Sequence, residues 1–277
     1  MNVCGICDFR KKVSLGSLLI TVSLIKVYKK LFKNAKTELQ IITKKKLDKN
    51  IYSISKSFLF VQKVSIKSKI ILNEKNFYFQ KIKNDNITIH EQNSTIHLQK
   101  ILKKYNYENE LFFNIKTEKY IKNILKKIKF IKIAVSLKLS NKNRFGNAKL
   151  NVWYEFFNEL QNDKTIFYLI GNNQYPKKFH KLKNIKIISN KLSLLNMLAY
   201  SKNCDFFLGN ATGISTINLL NNRPYVIFKH PNHHPKIFKR ELLNKKKLLF
   251  QTRNQLIINN YENKKILLKY YEKFKKL

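Results

Sequence analysis

Residues able to hold a phosphate or move a proton fall, in this sequence, just after short apolar runs, where an α/β protein turns loop side chains toward a ligand. The densest stretch is Cys204 to Thr216, in which Asp205-Phe206-Phe207-Leu208 is closed by Gly209-Asn210-Ala211-Thr212-Gly213-Ile214-Ser215-Thr216. Two glycines allow a ligand close to the backbone, and a helix starting there would offer free N–H groups to an anion, with phosphate the obvious candidate. Any tight strand-to-helix turn also collects Gly, Asn and Thr for geometric reasons. Asn210, Thr212, Gly213 and Thr216 are the candidate anion-binding residues of this turn.

Three further sets have matching positions. Lys149 stands at a helix start after the strand Phe130 to Leu139, and Arg144 lies in the loop between them; both could neutralise negative charge. Asp8 ends the first apolar run and is the only acidic residue before Glu38, which makes it the candidate general base. Gly16 and Ser17 open the helix that follows, and the Ser17 hydroxyl cannot act as a base without a partner. His230, His233 and His234 cluster beyond the run Pro224 to Phe228. Three histidines suit a metal, but no carboxylate accompanies them in sequence, so substrate contact or loop structure is the better reading.

These residues need elements to position them. Asn2 to Phe9, a helix from about Leu18 to Phe32, and Thr37 to Thr43 read as strand, helix and strand. Residues 44–114 are harder: Ile51 to Ile54, Phe58 to Val61, Ile70 to Leu72, Phe77 to Phe79 and Ile87 to Ile89 could each be strands, with a helix from Thr95 to Tyr105. Thr117 is expected to cap a helix carrying Ile121, Ile124, Leu125 and Ile128 on one face. Strands at Phe130 to Leu139, Thr165 to Ile170, Ile185 to Ser189, Asp205 to Leu208 and Tyr225 to Phe228 then alternate with helices at Asn151 to Leu160 and Leu192 to Lys202. Such alternation predicts a doubly wound parallel sheet, with ligands beyond the carboxyl ends of its strands. Lys264 to Leu277 reads as an amphipathic helix that packs across both domains or lies on a membrane surface.

Composition sets outer bounds. The 277 residues allow two domains, expected at 1–128 and 129–277. Cys4, Cys7 and Cys204 are too few for a disulfide-stapled domain and suit a reduced cytoplasm. The C-x-x-C pair lies inside an apolar run, as core residues do, rather than at the helix N-terminus expected of a redox pair. Arg10-Lys11-Lys12 followed by Val13 to Ile25 imitates a signal peptide, but without a cleavage site it reads as a buried helix. The net charge of +40 comes almost wholly from Lys, with Arg only at 10, 144, 223, 240 and 253. That composition follows A/T-rich codon usage more than phosphate or base reading, for which the Arg fork is preferred. It still leaves a surface that an anionic membrane would attract, and makes nucleic acid a weaker partner.

The second half resembles the heptosyltransferases, glycosyltransferases of the GT-B class that build lipopolysaccharide cores. Their Asp-Thr-Gly turn is followed by a His, an Ala-rich helix and a Lys-Pro before the next strand. Thr212, Gly213 and Pro224 match in register, Arg223 takes the Lys position, Ala211 and Thr216 replace the Asp and His, and Ser17 replaces the Asp after the loop glycine. Lys149 and Trp153 resemble that family's Lys shortly before a Trp.

The resemblance implies two Rossmann-like domains facing a cleft that takes a nucleotide-diphosphate sugar, without a cofactor, and transfers the sugar to a glycan or glycolipid acceptor. Lys149, Arg144, Asn210, Thr212, Gly213 and Thr216 would then bind the donor, and Gly16, Ser17, His230 and His233 would serve acceptor or loop roles. The site would be cytoplasmic or on the inner face of the membrane. A noncatalytic basic protein binding nucleic acid or membrane, and a sugar epimerase of the same architecture, are the competing readings.

Overall fold

The computed structural model describes residues 1–11, 14–44, 47–68, 81–83, 86–90, 94–105, 115–140, 146–171, 174–188, 192–243 and 245–277. They form two compact units, the first from Met1–Ile115 with Glu241–Phe250, the second from Lys116–Arg240 with Gln251–Leu277.

In unit 1, β1 (Asn2–Asp8), α1 (Leu15–Leu31), β2 (Lys36–Ile42), α2 (Lys49–Lys56), β3 (Lys63–Lys67), β4 (Lys81–Lys83), β5 (Asn86–His90) and α3 (Ser94–Tyr105) build one sheet and its helices. The strand order is β3-β2-β1-β5-β4, parallel except for β4. Helix α1 buries Leu18, Leu19, Val22, Leu24 and Ile25, as expected of an apolar helix that packs rather than spans. It starts earlier than the sequence suggested, because Ser14 Oγ accepts from the Ser17 amide at 3.1 Å and caps it. Gly16 and Ser17 therefore occupy its first turn, not a loop. The expected strand Ile51 to Ile54 is helix α2, with Asp48 accepting from the Asn50 and Ile51 amides. Phe58 to Val61 is a turn, whereas Ile87 to Ile89 lies in β5. Ile70 to Leu72 and Phe77 to Phe79 lie outside the described residues.

Unit 2 continues with α4 (Ile115–Lys126), β6 (Ile131–Ser136), α5 (Leu150–Glu159), β7 (Thr165–Ile170), α6 (Lys177–His180), β8 (Ile185–Ile188), α7 (Leu194–Asn203), β9 (Phe206–Asn210), α8 (Thr216–Leu219), β10 (Tyr225–Phe228), α9 (Pro235–Glu241), β11 (Gln255–Ile258) and α10 (Lys264–Lys275). Thr117 lies inside α4 rather than capping it. The order β11-β10-β9-β6-β7-β8 is wholly parallel. The winding reverses between β6 and β9, and loops that leave these neighbours diverge and open a crevice at their carboxyl ends.

Both faces of this sheet are covered. One carries Trp153, Phe156, Phe157, Phe167, Phe228, Leu267, Tyr271 and Phe274; the other carries Ile121, Leu125, Met197, Tyr200, Phe207 and Tyr225. The apolar face of α10 is thus part of the core of unit 2, and its buried side chains are not offered to a membrane. Among the described residues no helix is long and apolar enough to cross a membrane.

Candidate active site

The carboxyl ends of β6, β9, β10 and β11 bring four loops of unit 2 together. At Gly209 a Cβ atom would collide with the Ser136 carbonyl oxygen, so only glycine lets β9 approach β6 this closely. Just beyond, the Ser136 and Thr212 hydroxyls are 3.0 Å apart. Thr212 and Ser215 satisfy each other: the Thr212 amide donates to Ser215 Oγ at 3.0 Å and the Ser215 amide to Thr212 Oγ1 at 3.1 Å. The amides of Gly213 and Ile214 have no acceptor among the described residues. The helix expected from this turn is shortened to the four residues of α8, and Thr216 at its start is buried. What the turn offers an anion is therefore two backbone N–H groups more than a helix dipole.

The loop after β6 is fixed at its base. The Lys138 amide donates to Asn210 Oδ1 at 3.3 Å, the Ala148 amide to the Lys138 carbonyl at 2.8 Å, and the Asn147 amide group pairs with the Ser140 backbone through two 3.0 Å bonds. Gly146 holds φ +80°, a conformation that disfavours any side chain, and a Cβ there would press within 3.1 Å of His233 Cβ. Arg144 lies outside the described residues. Lys149 occupies the N-cap position of α5 without a side-chain cap bond, and its ammonium rests over the Tyr261 ring, 4.6 Å from the centroid.

At the centre lies a residue the sequence reading missed. Glu262, fully buried, accepts from Asn210 Nδ2 at 2.7 Å and Trp153 Nε1 at 3.1 Å on Oε1, and faces His230 Nε2 at 2.7 Å with Oε2. Burial alone would raise its pKa, but the bonds from His230, Asn210 and Trp153 outweigh it and hold the carboxyl below its ordinary value. The loops after β9, β10 and β11 and the first turns of α5 are thereby tied to one ionised carboxylate. The acid that was absent beside the histidines in sequence is thus supplied from 32 residues downstream. Its only sequence signal was its place after β11, a strand too short and too polar-edged to be recognised.

His230 also packs against Tyr261, ring centroids 4.8 Å apart. His233 is pushed down to about 4, first by burial and then by Lys229 and Lys138, and burial likewise lowers His234 and Lys138. Lys229 Nζ lies 3.4 Å from His233 Nδ1. His233 and His234 are consequently neutral at pH 7, surrounded by ammonium groups. Among the described residues no group of three or more His, Cys, Asp or Glu is placed to hold a metal.

Unit 1 contributes its own candidates. Asp8 ends β1, is buried, and is clamped by Arg10: Oδ1 accepts from the Arg10 amide at 3.1 Å and Nε at 2.8 Å, and Oδ2 from a terminal guanidinium nitrogen at 2.8 Å. Ser17 lies one turn into α1, its hydroxyl 3.1 Å from that of Ser14. Away from that edge, a cavity of about 720 Å³ is lined by Cys4, Glu38, Gln40, Lys63, Lys67 and Thr88, among others. Burial, aided by Glu38 against Lys67, pushes the Cys4 thiol up to about 12, so it is no nucleophile at neutral pH.

Two Rossmann-like units, the second with a charged crevice at its strand reversal, define the architecture of the GT-B glycosyltransferases, and over nearly its full length the chain has that fold. It aligns with the glycosyl transferase family 9 structure from Veillonella parvula with a TM-score of 0.64 at 9% identity, covering 99% of this chain and 96% of that one. With the E. coli heptosyltransferase WaaC bound to ADP the TM-score is 0.63 at 12% identity, covering 99% and 100%. With E. coli ADP-heptose lps heptosyltransferase II it is 0.58 at 9% identity, covering 99% and 98%. No family model matches the sequence, and no curated protein matches it by sequence.

Proposed function

We propose that this chain is a glycosyltransferase that moves a sugar from a nucleoside-diphosphate donor to a cell-surface glycan or lipopolysaccharide precursor. The observation that carries the reading is the convergence of four carboxyl-end loops of unit 2 on Glu262, in a chain whose whole fold is that of solved heptosyltransferases. A departing diphosphate gathers negative charge, and the crevice answers it with the Gly213 and Ile214 amides, the Thr212 hydroxyl and the Lys149 ammonium. No metal is required for such neutralisation. Asn210 serves the donor indirectly, by holding Glu262 and the loop after β6.

Asp8 is assigned to the acceptor side as the group that takes the hydroxyl proton, and Gly16 and Ser17, in the first turn of α1, are assigned to the same side. Its bonds to Arg10 keep the carboxylate oriented, and the guanidinium must yield one oxygen for the proton to be accepted. The membrane-bound character of a glycolipid acceptor would suit the excess of lysine, which favours an anionic surface.

The deciding experiment is calorimetry with ADP, UDP, GDP and CDP at about 0.15 M salt, where nonspecific charge attraction is largely screened. One nucleotide binding with a defined stoichiometry, followed by sugar transfer from its matching donor, is expected. Absence of binding by all four, with steeply salt-dependent nucleic-acid binding instead, would return the chain to a noncatalytic basic protein. Conversion of the donor sugar without any acceptor would make it an epimerase.

A further inference from the structure

We propose that His230 is a catalytic residue that contacts the leaving diphosphate through Nδ1, and that Glu262 is the residue that positions it. This rests on the glycosyl-transfer reading above. The Glu262 side chain is 0% exposed and that of His230 1%. Because Glu262 is held ionised, the nitrogen 2.7 Å from it, Nε2, must bear hydrogen. That contact fixes the ring, and Nδ1 is left buried with no partner among the described residues. A buried imidazole nitrogen without a partner is unfavourable as either donor or acceptor, which marks Nδ1 as a place for a ligand atom. An anion there needs an N–H, and the imidazolium form supplies one with Glu262 as its fixed counter-ion.

Access has a simple route. Tyr261, packed against His230 with the two rings tilted by 50°, is 37% exposed, and we assign its side chain, which can rotate into solvent, as the group that yields to the ligand. Lys149, already over the Tyr261 ring, lies within the same group of side chains. During transfer the acceptor oxygen bonds to the anomeric carbon and yields its proton to the base. The bond from that carbon to the phosphate oxygen breaks, and its electron pair stays on the diphosphate. The Nδ1–H hydrogen bond neutralises the charge that develops there, and the proton remains on the ring.

Two substitutions separate the nitrogens. The amide nitrogen of a glutamine reaches roughly where Nε2 lies, and that of an asparagine roughly where Nδ1 lies. His230→Gln should therefore keep the bond to Glu262. Its Tm and the emission of Trp153, the sole tryptophan and a donor to the same carboxylate, should match wild type. ADP affinity should fall roughly tenfold or more, and turnover about 10²-fold. His230→Asn should disturb Trp153 emission yet retain more ADP affinity than His230→Gln. ¹⁵N spectra of wild-type His230 provide a second reading that needs no variant: ADP should move the Nδ1 resonance and leave Nε2 in place.

His230→Gln that binds ADP and turns over like wild type, or an Nδ1 resonance indifferent to bound ADP, overturns the inference while leaving the glycosyltransferase reading intact. A wild-type protein that binds none of the four nucleoside diphosphates overturns both.

Discussion

Lys149 holds its ammonium over Tyr261 at the crevice of unit 2, whereas Lys126 and Lys127, at the end of α4, face solvent. Lys149→Ala is therefore expected to weaken binding of the donor nucleoside diphosphate about fivefold or more, while Lys126→Ala and Lys127→Ala change it little, as is usual for exposed charges. Calorimetry at about 0.15 M salt checks this, and three equal small effects would count against the phosphate contact. Asp8→Asn keeps size and hydrogen bonding but removes the basic oxygen, so turnover should fall about 10²-fold or more with donor affinity scarcely changed. Near-normal turnover would remove Asp8 from the base role. Thr212, Gly213, Lys149 and His230 were legible because each follows an apolar run at a spacing that loops after strands require. Glu262 was not, since a single acidic residue before a lysine-rich helix looks like any solvated side chain until its three donors are seen around it.

Among elements, α10 has the clearest thermodynamic consequence. The Tyr271 hydroxyl donates to Asp163 Oδ2 at 2.7 Å and lies 2.7 Å from the Thr165 hydroxyl, while Lys275 reaches the same carboxylate oxygen at 2.9 Å. The bond from Tyr271, then that from Lys275, lowers the Asp163 pKa. A carboxyl lowered on folding stabilises the fold above its unfolded pKa, and that contribution disappears as pH falls through the folded value. Tyr271→Phe should cost about 1 kcal/mol near neutrality and flatten the decline of Tm below pH 4, since it removes the larger cause of the shift; an unaltered acid limb in thermal melts would contradict this account. The sequence showed α10 as amphipathic because Leu267, Tyr271 and Phe274 share a face, but could not say what covered that face. It concealed α2 because Ile51 and Ile54, three residues apart, satisfy a helix and a short strand equally well, and the Asp48 cap decides between them.

Across the whole molecule, the net charge of +40 predicts a second, separable behaviour. DNA of any sequence should bind at low salt and be released by about 0.2 M, with a steep logarithmic salt slope, while binding of the donor nucleoside diphosphate persists at that salt. Retention of one DNA sequence at high salt would instead point to a dedicated nucleic-acid site. The alternation of strands and helices made the sheet of unit 2 legible in advance, whereas the path of the chain between units was not. Residues 241–250 return to unit 1 after most of unit 2 has been laid down. There they meet Gln99, wholly buried, whose amide donates to the Glu241 carbonyl at 2.7 Å and accepts from the Leu249 amide at 2.9 Å. On the ribosome, Gln99 cannot find these two partners until residues 241–249 have been made. A fragment spanning Met1–Ile115 alone would lack the segment that completes unit 1, and supplying the distant decapeptide Glu241–Phe250 in trans is the repair this route implies.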